Sequence, residues 1–219
     1  MKHHDIHYFI ALQDRFEDLL KYMTCHEDHF LCYSIKGESL MIDVCSFFDS
    51  LCQTYIRDQH SSGYVFTNEA HIKDLQKKFE GKNNFNAADY RQLLDGDFNL
   101  STRAVNLNLY NDHLFINPLR FSPEKIDGYK VFPFEEWGNV EMTKWWDSFT
   151  KLKHDRIRNH KEATLRNVVF SLAAVFVILC IENETAFKEG HVPPDIYRAF
   201  FPKFWESHGR VMPGIVTWR

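Results

Sequence analysis

Apolar residues recur at helical spacing at both ends of the chain and lose that rhythm in the middle. Over residues 5–23, Ile6, Phe9, Ile10, Phe16, Leu19, Leu20 and Met23 fall three, four and seven positions apart. That spacing predicts one amphipathic helix. A polar break, "TCHEDH", follows. Leu40, Met41, Val44, Phe47, Phe48 and Leu51 then form a wide apolar face on a second predicted helix, about 34–56. Ser34 stands where an N-cap belongs, and Gly37 is a mild defect inside the helix.

The middle third is punctuated differently. Residues 67–81 read as a short capped helix ending at Gly81, and 86–97 as another. "AVNLNLYNDHLFINPL" alternates apolar and polar positions, which predicts a small hairpin turning at Asn111-Asp112. "YKVFPFEEW" reads as a short edge strand, because Pro133 interrupts it. In the last third, Thr143 stands before a helix striped by Trp145, Trp146, Phe149 and Leu152. A long, nearly all-apolar helix covers about 161–187. Its most apolar run, Val168 to Ile181, is 14 residues bounded by Arg166 and Glu182. A membrane span needs roughly 20 apolar residues, so this run predicts a core helix and no membrane. A short helix after Pro193-Pro194 brings Phe200, Phe201, Phe204 and Trp205 onto the core. The pattern is mainly α: one domain over 1–219, with core helices at about 5–57 and 141–205 and a small irregular or β-hairpin insertion at about 58–140.

With 219 residues and 44% hydrophobic content, the chain is large enough for one sizeable core. A net charge of -4 excludes a whole-chain basic field, so any nucleic-acid contact needs a local patch. The five cysteines are odd in number, and Cys45 and Cys52 sit in an apolar helical run. They read as reduced thiols of a cytoplasmic protein. The N-terminus turns acidic before any long apolar run, unlike a signal peptide. No phosphate-binding glycine loop, dinucleotide fingerprint, nucleophile elbow or paired zinc knuckle is present, and no cofactor is implied. Cys25, His29 and Cys32, with His26 beside them, are spaced like metal ligands, but the helix break there parts them. We read them as structural and assign no metal.

The densest chemistry is "KLKHDRIRNH", residues 151–160. On one continuous helix, Lys151, His154, Asp155 and Arg158 share an outer face with Asp147. Lys153, Arg156 and His160 fall together beside the Trp145–Phe149–Leu152 stripe. A cation at that inner edge needs an anion or a carboxylate; Glu38 and Asp43, isolated carboxylates on the second helix, are either exposed or supply one counter-ion for Arg156. Two readings stand side by side. The cations complement the negative end of a helix dipole, or they form a phosphate site.

The two ends of the chain resemble HEPN-like proteins of prokaryotes. The resemblance rests on "FEDLLKYMTCHEDHFLCYSIKGESLMIDVCSFFDSL" and on the pairing of "WWDSFTKLKHDR" with "ATLRNVVFSLAAVFVIL". The matching residues are Trp145, Trp146, Lys151, Lys153, His154, Arg156, Ala163, Leu165 and Asn167. The resemblance implies a bundle of four to five helices, often a homodimer through the motif helices. It also implies RNA or nucleotide-phosphate binding, as in metal-independent endoribonucleases of phage defence and of toxin–antitoxin systems, where an antitoxin is the partner. His154, His160 and Arg156 would then be catalytic, with Lys151, Lys153, Arg158 and Asn167 binding phosphate or RNA. The chain departs from the usual pattern: no Arg is followed by a His after four to six intervening residues. Arg156 and His160 have three between them, Lys153 and His160 six. Thr150 and Phe47 stand where Asn and an acid are expected. The competing reading is a non-catalytic helical interaction protein whose basic cluster is structural.

Overall fold

A computed structural model of the protein describes residues 3–61, 85–95, 98–109 and 129–202. Its architecture is mainly α, as the apolar periodicity requires. Helix α1 spans His3–Leu20 and α2 Ile35–Ser61. A short α3, Ala87–Tyr90, runs into one π-helical turn, Arg91–Asp95. After the first two of three short strands come α4 (Lys144–His154), α5 (Arg156–Asn159), α6 (Leu165–Glu182) and α7 (Glu184–Glu189).

Helix α6 is the axis of the core. Every residue from Asn167 to Cys180 is buried. By length and composition alone α6 reaches the threshold for crossing a membrane, yet 83% of it is buried inside the protein. Neighbouring elements cover it on nearly all sides, which an all-apolar helix demands. Helix α2 is its principal partner, with α1 and α4 alongside. The predicted helix over 161–187 is broken at Asn183, whose buried Nδ2 donates to the Leu179 carbonyl. That bond draws the chain off the helical path, and α7 restarts beyond it.

Two aromatic clusters fill the ends of the core. Phe176 of α6 lies against Phe9 of α1 and Phe200, with ring centroids 5.8 and 5.9 Å away. Phe48 of α2 meets Trp145 edge-on at 5.1 Å and also touches Trp146, Phe134 and Tyr90. Edge-on and offset arrangements are those that ring quadrupoles favour. Trp145 is fully enclosed because its indole N–H finds the Pro133 carbonyl at 2.8 Å.

The middle of the chain is built into this core. Phe85, Tyr90, Leu94, Leu100, Val105, Leu107, Val131 and Trp137 all join it. Strand β1, Val105–Leu107, is central, with β2 (Tyr129–Val131) and β3 (Phe200–Pro202) antiparallel on its two sides. The predicted edge strand at Tyr129 is therefore an edge strand, and Pro202 also lies on an edge, where a missing N–H does least harm. The segment around Phe200 reads locally as the end of a helix. Instead, a 3-10 turn at Pro194–Tyr197 leads into β3, pinned by Gln13 of α1. The Gln13 side chain is buried, accepts from the Ala199 N–H and donates to the Asp195 carbonyl. The predicted helix over 67–81, the hairpin turn at Asn111-Asp112, and Phe204 and Trp205 lie outside the described residues.

Candidate functional site

The start of α6 sets the geometry of the basic region. A helix begins with N–H groups that have no partner inside it. Here the Leu165 N–H donates to the Cys32 carbonyl at 2.8 Å and the Arg166 N–H to Phe30 at 3.1 Å. Thr164 Oγ1 caps the Asn167 N–H. The loop before α2 is thus tied to the start of α6 through a bridge between Tyr33 and Thr164. A Cβ at Gly37 would crowd the Ser34 Oγ that caps the helix, at 3.3 Å, and make an ordinary contact with the Ala163 carbonyl at 3.5 Å. Ser34 caps α2 as predicted, accepting from the Gly37 N–H at 3.0 Å.

The helix carrying the basic cluster does not continue through it, which corrects the faces drawn for 151–160. Helix α4 ends at His154, and Asp155 leaves the helical region at φ -150, ψ 83. Its carboxylate turns back to cap the Arg158 N–H at 3.1 Å. A short acidic side chain that can bond the backbone ahead of it offers an alternative to helix continuation. Asn159 seals the break by donating to the Lys151 and Asp155 carbonyls. Thr143, at the other end of α4, occupies the cap position but makes no cap bond.

This break sorts the predicted site residues. Lys151 pairs with Asp147 at 2.9 Å and lies 3.6 Å from Glu162. The Asp147 bond and the nearby Glu162 charge raise its pKa. Arg158 pairs with Asp155 at 3.4 Å and is otherwise in solvent. Lys153 lies over the Phe149 ring, 5.9 Å from its centroid, and His154 is exposed. Lys153 thus does not join Arg156 and His160 as the continuous helix required. Asn167 is buried, and its amide nitrogen donates to Ser148 Oγ at 3.0 Å and the Glu162 carbonyl at 2.8 Å, tying α4 to α6.

Arg156 and His160 do come together. They line one open groove of about 500 Å³ with Tyr33, Ser34, Ile35, Glu38 and Ile157. At its floor the Arg156 guanidinium pairs with Glu38, the counter-ion that the inner-edge argument demanded. The Glu38 side chain is 7% exposed and that of Arg156 54%, so the acid is held inside while the cation keeps one side open. On the wall, His160 Nδ1 lies 2.9 Å from the Ile157 carbonyl. A carbonyl only accepts, so Nδ1 carries the proton, and a neutral ring then offers Nε2 as an acceptor. The ring sits edge-on to Tyr33 at 5.5 Å.

Tyr33, Ile35 and Ile157 were missed in the sequence. Their signal is weak: three large apolar residues at positions that the helical face does not use. The cysteines and histidines near residue 25 form no joint site. Cys25 is buried and Cys32 exposed, while His29 Nδ1 is engaged by the Thr24 carbonyl. Among the described residues, no group of three or more His, Cys, Asp or Glu converges as a metal site. Burial pushes the Cys25 thiol up to about 12 and keeps Cys45, Cys52 and Cys180 protonated as well. Compared with known proteins, the chain matches no family model, no curated protein and no solved structure.

Proposed function

We propose that the protein is HEPN-like and engages RNA or a nucleotide phosphate at the groove of Arg156 and His160. The observation that supports this reading is their convergence: a half-open guanidinium and an imidazole with a free acceptor share one groove. The local charge agrees. Between Lys144 and Arg166 stand seven Lys and Arg and three carboxylates, on a chain whose net charge is -4. Such a patch supplies the phosphate attraction that the whole chain lacks. In a cleavage reaction, His160 Nε2 takes the proton of an RNA 2′-hydroxyl as its oxygen attacks the adjacent phosphorus. Arg156 holds the developing phosphate charge. The bond to the 5′-oxygen breaks, and the imidazolium returns the proton to that oxygen. The setting is cytoplasmic, and phage defence or a toxin–antitoxin pair is the context in keeping with the family resemblance.

Mixed RNA incubated with the protein in the absence of divalent metal tests this. Binding that weakens in Arg156→Ala, together with cleavage lost in His160→Ala, is the expected result. Cleavage that persists in the His154→Ala/His160→Ala double variant removes both histidines from the chemistry. A second reading has its own support. Lys151, Arg156 and Arg158 are each already paired with a carboxylate, as in an interaction protein whose cluster is structural. Absence of both binding and cleavage across several RNAs selects it.

A further inference from the structure

Arg156 is held by two parts of the chain. Its backbone follows the break at Asp155, where local hydrogen bonds shape the connection. Its guanidinium meets Glu38, which lies in the first turn of α2, a helix packed along α6. The Glu38 N–H donates to the Ser34 carbonyl at 2.9 Å, and its side chain is enclosed. A buried carboxylate is costly unless a cation or a donor meets it. Arg156 meets it with one nitrogen, since Glu38 accepts from Nε. Among the described residues, no other hydrogen bond or ion pair engages that guanidinium. Both Nη groups are left over, on a half-exposed side chain that lines the groove. A guanidinium is a planar fork, and its Nη pair matches two oxygens of one phosphate. A long side chain that turns freely gives up part of this advantage each time it binds, and one anchored on a rigid helix does not.

We propose that Glu38 is a positioning residue, which holds Arg156 by Nε so that the Nη pair is presented as a fork for one phosphate group. The role rests on the phosphate reading of the groove and acts only through Arg156. It opposes the simplest electrostatic expectation. A carboxylate beside a cation cancels part of its charge, so Glu38 as a bare competitor weakens phosphate binding, and removing it strengthens binding. Glu38 as an anchor has the opposite consequence. Its loss weakens binding even though the groove gains positive charge. The sign of the change separates the two roles.

Fluorescence anisotropy of a short labelled single-stranded RNA, read on the full chain at low salt without divalent metal, tests it. Glu38→Ala is expected to bind about tenfold more weakly than the parent. Glu38→Gln sheds the same charge but keeps an oxygen for Nε, and is expected to stay within about threefold. Arg156→Lys keeps the charge and loses the fork, and is expected to weaken binding about tenfold. In the Arg156→Lys background, Glu38→Ala is expected to change nothing further, because residues acting as one unit are not additive. The Arg156 Nε–H proton, assigned by its loss in Arg156→Lys, is expected to exchange slowly with water in the parent and in Glu38→Gln, and fast in Glu38→Ala. Tightening by more than about threefold in either Glu38 variant would make Glu38 a competitor and overturn the proposal. So would a further loss in the Arg156→Lys background, or a Glu38→Ala variant that unfolds more easily but binds RNA like the parent. If Glu38→Ala does not fold, Glu38→Gln decides alone: unchanged affinity with a slow Nε–H supports the anchor, and tightening overturns it. In any of these failures, RNA binding by the parent that is lost in Arg156→Ala leaves the phosphate reading standing. A parent that binds no RNA overturns that reading and this role with it.

Discussion

Helix α6 and the basic connection just before it are neighbours in sequence and opposites in physics. In α6, nearly every side chain is enclosed, and the helix is held by what surrounds it. In residues 151–161, most side chains face water, and the backbone is shaped by local hydrogen bonds from Asp155 and Asn159. Burial makes one segment regular. Its absence leaves the other free to break, and that break turns Arg156 and His160 into one groove. The most stable part of the molecule therefore carries no candidate chemistry, and the candidate chemistry sits where stability demands least.

The strongest test of the contrast lies inside α6. Phe176→Ala removes a fully buried ring that touches Phe9, Phe187, Tyr197 and Phe200. It is expected to cost about 3–5 kcal/mol in urea unfolding, the cost of removing an aromatic from a close-packed core. A loss below about 1 kcal/mol would mean that this interior is not packed as described. At the seam between the two regions, Asn167→Ala removes two donations, to Ser148 Oγ and to the Glu162 carbonyl, which keep their bonds to the Glu162 carboxylate and the Thr164 N–H, for an expected cost of about 1–3 kcal/mol. The same variant loosening the groove as well, read as faster exchange of the Asn159 and His160 amides, would show that α6 also holds the connection in place. A smaller effect is expected from Thr164→Ala. It removes the cap on the Asn167 N–H and is expected to cost about 1 kcal/mol.

How much of this was legible follows the same divide. Helices α1 and α2 are written in apolar spacing, because a buried face must repeat with the helix, and α6 in an almost unbroken apolar run, because it is covered on nearly all sides. The Arg156 counter-ion was legible only in part: a cation beside the core needs a carboxylate, but the second helix offered Glu38 and Asp43 alike, and only the fold puts Glu38 on Arg156 and Asp43 on Arg15. The break at Asp155 was not. It lies in a run with no apolar rhythm to interrupt, and only the cap geometry reveals it. The groove joins residues 33–38 to 156–160, and no local pattern announces contact between segments so far apart. Strand β3 failed for a related reason: its partner, Val105–Leu107, is nearly a hundred residues away, while the local cue, Pro193-Pro194 before a run of phenylalanines, favours a helix.

The smallest expected effect lies on the exposed side of the contrast. Lys151 bonds Asp147 and lies near Glu162, and these acids raise its pKa above 10.5. A lysine whose folded pKa exceeds its unfolded value contributes fully below the unfolded pKa. The contribution is lost as pH rises through the folded one. Lys151→Met is therefore expected to lower stability by a small, constant amount from neutral pH to about pH 10, and the difference from the parent shrinks in more alkaline solution and in acid strong enough to protonate the two carboxylates. Because the pair is solvated, the loss is expected to stay below about 1 kcal/mol and to fade with added salt. Unfolding midpoints of parent and variant, compared at low and high salt, check this. A large, salt-insensitive loss would mean that the Asp147–Lys151–Glu162 group is enclosed like α6, and the division between a packed helix and a solvated connection would fail at its outer edge.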